Sequence, residues 1–116
     1  MHQYKNLKFW QKAMDMAQKV FEITSEFPSD ERFGLTSQLR RAAVSVPSNI
    51  AEGTARNSSK SFANSLDISL GESFELETQA IISSRVGLIE NETFETLTNQ
   101  ISEVQKLIVG FKNSVE

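Results

Sequence analysis

The sequence predicts an all-α protein, an antiparallel up-down-up-down four-helix bundle built as a single domain over residues 1–116. Three observations carry the prediction. Apolar residues recur at three- and four-residue steps along four separate stretches. Short connections containing Pro, Gly, Asn or Ser join those stretches, which forces neighbouring helices to run antiparallel. No alternating apolar and polar pattern of useful length appears, so there is no candidate sheet. A chain of 116 residues is long enough for one hydrophobic core and too short for two.

The first helix is expected from about Leu7 to Phe27. Phe9, Ala13, Met16, Val20, Ile23 and Phe27 alternate steps of four and three, the spacing of a packed seam. Trp10, Met14, Ala17 and Phe21 form a second apolar stripe beside it. A face that wide fits either contact with another subunit or a central helix within one copy. Phe27-Pro28-Ser29-Asp30 ends the helix, and Asp30 to Gly34 is expected to hold one short helical turn at most.

The second helix is expected to start near Leu35 or Thr36 and to run through LRRAAVSVPSNIAEGTAR, residues 39–56. At about 100° per residue, Leu39, Ala43, Val46 and Ile50 share one narrow arc, a core stripe. Arg41, Ser45, Ser48, Asn49, Glu52 and Arg56 form a polar stripe, with Val44, Ala51 and Ala55 as a further apolar edge. Pro47 lies inside this helix, where it removes a donor and frees the Ala43 carbonyl, at a cost of roughly 3 kcal/mol. Ser45, Ser48 and Asn49 can hydrogen-bond the freed backbone, so a kinked but continuous helix is expected in preference to a break.

Asn57-Ser58-Ser59 supplies the next turn and an N-cap. The third helix is expected over Ser59 to Val86, with Ala63, Leu66, Leu70, Phe74 and Ile81 as core bulk. A row of small residues, Ser69, Ser73, Ala80, Ser84 and Gly87, lets a partner backbone approach closely. An intrachain helix pair is the first reading of that row and a ligand groove the second, and the row is also expected to contribute to contact between subunits. Asn91 is the expected N-cap of the fourth helix, with Glu92 and Glu95 placed to suit its positive end. Phe94, Leu97, Ile101, Val104, Ile108, Phe111 and Val115 then keep a strict 3.5-residue period.

Little of this carries catalytic chemistry. The single histidine, His2, lies at the terminus, there is no cysteine, and no glycine-rich phosphate loop or nucleophile motif occurs. Glu72, Glu75 and Glu77 cluster in the third helix, but a di-iron carboxylate site also needs Glu-x-x-His pairs, which the chain lacks. No metal and no cofactor are expected, and the same carboxylates are assigned instead to a structural or interface network with Arg40, Arg41 and Arg56. Ser45, Pro47, Asn49 and Glu52 complete that set. With no long apolar run and no leader-like amino terminus, a cytoplasmic protein with no membrane contact is expected.

Charge argues against a broad nucleic-acid face. The net charge is −3; residues 1–57 carry eight Lys/Arg against six Asp/Glu, and residues 58–116 carry four against nine. The halves complement each other, which suits packing within or between copies. Lys5, Lys8, Lys12 and Lys19, with Arg32, are the one basic grouping, and Asp15 and Glu22 share its side. Weak, salt-sensitive RNA contact is the most it predicts.

The block Ser45 to Gly53, SVPSNIAEG, preceded by Gln38-Leu39-Arg40-Arg41-Ala42 and followed by Arg56, resembles a small bacterial four-helix-bundle family. That family is named for proteins encoded in intervening sequences of 23S ribosomal RNA genes. Gly71, Ser73 and Glu75-Leu76-Glu77-Thr78-Gln79 are similar to a second family block, with Glu72 inserted where the family has Gly and Ser adjacent. The helix-one opening, Leu7 to Ala13, also fits. The resemblance implies a homo-oligomer of four-helix protomers, typically a pentamer, with no established enzymatic activity. Some relatives are basic retroelement accessory proteins thought to contact nucleic acid and a reverse transcriptase, and this acidic chain departs from them in charge. The expected function is therefore a non-enzymatic oligomeric scaffold or adaptor that binds itself and another protein, with an RNA-binding accessory subunit as the alternative and an enzyme least favoured.

Overall fold

The structure, a computed structural model, describes residues 3–115 and is built from four helices: α1 (Lys8–Thr24), α2 (Leu35–Gly53), α3 (Ser59–Arg85) and α4 (Asn91–Val115). Single 3-10 turns at Tyr4–Asn6 and Ser29–Glu31 precede α1 and α2. The predicted elements are all present. His2 lies outside the described residues, as does the side chain of Val115.

Hydrogen-bonding side chains explain most of the boundaries. α1 stops at Thr24, three residues short of Phe27, because the chain tightens there: Glu26 N–H donates to the Ile23 carbonyl and Phe27 N–H to that of Thr24. Thr24 and Ser25 hydroxyls also donate back to Val20 and Glu22 carbonyls, at 2.8 and 2.6 Å. Ser58 caps α3, its Oγ accepting from the Ser61 N–H at 3.1 Å. α3 closes at Gly87, whose φ of +84° disfavours any side chain. Leu88 N–H then reaches the Ser83 carbonyl and Gly87 N–H the Ser84 carbonyl, satisfying the last turn. α4 begins at Asn91 itself, with Phe94 N–H donating to the Glu90 carbonyl at 2.8 Å, so the cap position falls one residue earlier than expected.

Each helix packs on two neighbours in the cyclic order α1, α2, α3, α4, and the diagonal pairs do not approach. Directions follow from the cross-contacts. Gly53 lies against Phe62 and Ser65, Val46 against Ser69, and Arg41 against Glu75, so α3 runs back along α2. Asp67 meets Lys112 and Glu77 meets Gln105, which reverses α4 on α3. Phe9 packs on Phe111 at 4.8 Å and Lys12 pairs with Glu103, closing the ring antiparallel. One contiguous core draws on all four helices, with Met16, Leu39, Ile50, Leu66, Leu76, Leu97 and Ile101 among its fully enclosed side chains.

The expected seams of α1, α2 and α4 face the core, with Ile23, Phe27, Phe94 and Phe111 partly buried toward its ends, but α3 differs. Phe74 is half-exposed and Ile81 and Leu70 only partly buried; the core line is Phe62, Leu66, Ser69, Ser73, Leu76, Ala80 and Ser83. Phe74 stands about 120° round the helix from Phe62. The reason is the α2 interface, where Gly53 lies against Ser65 and Ser69 bonds the Val46 carbonyl, so that the two backbones come close and leave little room for bulk. Ser69, Ser73 and Ala80 of the small row are thus enclosed within one copy and are not available to another subunit.

Candidate functional site

Of Ser45, Ser48 and Asn49, expected to hydrogen-bond the backbone around Pro47, Asn49 does so. α2 continues through Pro47 without interruption, and the ring itself is buried. Asn49 Nδ2 donates to the Ser45 carbonyl at 2.8 Å and to Ser45 Oγ at 3.0 Å, bracing the turn that contains the proline. From the other side Ser69 Oγ donates to the Val46 carbonyl at 2.8 Å, in full burial, which pins α3 to the residue before the proline. Neither bond reaches the Ala43 carbonyl that the proline frees; both instead tie down the carbonyls of the two residues before it.

Of the three arginines assigned to carboxylates on α3, one reaches them. Arg41 Nη2 donates to Glu75 Oε1 at 2.6 Å, and its Nη1 lies 3.8 Å from Glu72 Oε1, too far for a hydrogen bond. Gln79 Nε2 donates to the same Glu75 oxygen at 3.3 Å. Glu72 Oε1 and Gln79 Oε1 are buried with no hydrogen-bond partner. Arg56 pairs with Glu52 one turn back on its own helix, which joins no second element. Arg40 points to α1: its Nε donates to Thr24 Oγ1 at 2.8 Å and its guanidinium sits 4.8 Å from the centre of the Phe21 ring. The three carboxylates also diverge, because Glu77 turns toward α4 and accepts from Gln105 Nε2 at 3.3 Å. Sequence spacing missed Gln79 and Thr24, although the Glu75-to-Gln79 step of four was the available signal for the first.

The second apolar stripes of α1 and α2 come together. Between these helices lies a groove of about 520 Å³, lined by Trp10, Met14 and Phe21 on one side and Val44, Pro47 and Ala51 on the other. Met14, Phe21 and Val44 are each 40–46% exposed, a high value for side chains of this kind. Tyr4, unnoticed in the sequence, closes one end by packing edge-on to Trp10 at 5.2 Å. Among the described residues, none that lines the groove is charged.

The basic residues do not converge. Lys12 is paired with Glu103 at 3.6 Å. Lys19 shares a small polar cleft between α1 and α4 with Asp15, Glu22 and Gln100. Lys5 and Lys8 are exposed at the start of α1, whereas Arg32, in the turn after α1, lies over Phe33 at 5.3 Å.

The family model for the 23S rRNA-intervening sequence protein matches residues 5–110. This chain belongs to that family. A crystal structure of a protein of unknown function from the S23 ribosomal protein family of Bacteroides thetaiotaomicron superposes with a TM-score of 0.84 at 25% identity, covering 90% of this chain and 97% of that one. No curated protein matches. The matched region of the intervening-sequence family holds α1, α2 and α3 whole, with both the Pro47 turn and the apolar groove. Among the described residues no helix is long and apolar enough to cross a membrane.

Proposed function

We propose that this member of the intervening-sequence family is a non-enzymatic scaffold that works as a homo-oligomer, with five copies as the number its family resemblance implies. The observation that carries the reading is the α1/α2 groove: an uncharged, aromatic-rich trough whose walls are left partly bare in one copy. Burying apolar area of this kind drives association at roughly 25 cal/mol per Å² before entropic costs. The Ser69 bond at the Pro47 turn and the Arg41–Glu75 contact tie α2, one wall of the groove, to α3. Lysines compensated by carboxylates and split between two ends of α1 give no continuous phosphate-neutralising track, which favours protein over RNA as the partner.

Light scattering at micromolar concentration tests the assembly: a mass that is a multiple of the 13.0 kDa chain is expected, and a clean monomer refutes it. Titration with labelled structured RNA is expected to give weak binding at low salt that vanishes at physiological salt. Tight binding that survives the higher salt would replace the scaffold with an RNA-binding accessory role.

A further inference from the structure

The groove is apolar, yet its rim carries one cation without a counter-charge. Arg40 lies over Phe21, a wall of the groove, and among the described residues no carboxylate comes within ion-pair distance of it. Two grooves facing each other across a two-fold axis would therefore bring two uncompensated guanidinium groups together, with no acid among the described residues of either lining. Self-pairing of this face is disfavoured. Its occupant needs exposed aliphatic side chains beside an excess of carboxylate.

One edge of the same molecule has that composition. On α3, Ile68, Glu75 and Ile82 follow one another every seven residues and so lie along one line. Ile68 is 51% and Ile82 45% exposed. Beside them Glu72 and Glu75 face a single arginine, Arg41. This edge is one negative charge in excess where the groove is one positive charge in excess.

We infer that the α1/α2 groove of one copy receives the Ile68–Ile82 edge of α3 from a second copy, with Arg40 meeting the Glu72 and Glu75 carboxylates, so that copies join head to tail. The inference rests on the homo-oligomer reading and specifies its interface. Different surfaces meet at each contact, so every copy keeps one free groove and one free edge until a ring closes.

Two exposed-site variants separate the surfaces. Val44→Asp spoils the groove and leaves the α3 edge intact; Ile68→Asp does the reverse, and Ile82→Asp repeats it at a second point. Circular dichroism checks that each remains helical. In light scattering each variant alone is expected to be monomeric, while an equimolar mixture of Val44→Asp and Ile68→Asp is expected to give a one-to-one dimer, joined through the one sound groove and the one sound edge. Failure of the mixture to associate, or wild-type mass in any single variant, overturns the head-to-tail pairing while a wild-type oligomer leaves the scaffold reading standing. A monomeric wild type overturns both.

Discussion

Gly53→Ala puts the closest helix contact in the molecule under direct test. A Cβ built at Gly53 would lie 2.8 Å from Phe62 Cδ1 and 2.8 Å from Ser65 Cβ, against about 3.5–4.0 Å for comfortable carbon contacts. Phe62 cannot swing aside freely, because its ring is buried and packed on Phe111 at 5.6 Å. α2 and α3 must separate by roughly 1 Å, and overpacking of this sort costs about 1–3 kcal/mol. Removing a glycine from a helix returns up to about 1 kcal/mol, less at the last residue of α2. The net loss is about 1–2 kcal/mol, or a melting temperature lower by about 4–8 °C for a domain of this size. Gly71→Ala is the internal control. A Cβ there meets nothing within 4 Å, and the helix interior gains from alanine, so this variant is expected to melt higher by a few degrees. Thermal unfolding followed by circular dichroism at one fixed protein concentration, which holds any assembly term constant, gives both shifts. If Gly53→Ala melts at or above wild type, or if the two variants shift in the same direction, the close-approach account of the α2/α3 seam is wrong.

Single hydrogen bonds and ion pairs of α2 can be tested in the same way. Ser69→Ala removes the hydroxyl that donates to the Val46 carbonyl in full burial, and urea midpoints are expected to report a loss of about 1 kcal/mol. Wild-type stability in that variant would mean that the turn at Pro47 needs no support from α3. Arg41→Ala and Arg56→Ala each break an ion pair whose arginine is more than two-fifths exposed, so each is expected to cost less than about 1 kcal/mol, with Arg56→Ala near the lower end because its partner is on its own helix. A loss above about 2 kcal/mol in Arg56→Ala would place that residue in a contact between copies.

Helix existence, order and family were legible in the chain because they depend on local periodicity and on one proline-centred block. The seams of α1, α2 and α4 could be read for the same reason: a run such as Leu97, Ile101, Val104 and Ile108 has a single apolar side to bury. α3 could not. Its apolar residues are spread round the helix, while its enclosed line includes Ser69, Ser73 and Ser83, so hydropathy pointed to Phe74 and missed Phe62 and Leu76. Which side of α3 is inside depends on how closely α2 approaches, and that depends on Gly53, a residue on another helix. The network was divided in the same way. Residue types and spacing on α2 proposed arginine–carboxylate pairs, but register between helices decided that Arg41 meets Glu75, that Arg40 turns to Thr24 and Phe21, and that Glu77 belongs to α4. The groove had been visible only as two unpartnered stripes. Tertiary packing made it one surface, because contacts between residues distant in the chain follow from the placement of backbones and not from the pattern along any one of them.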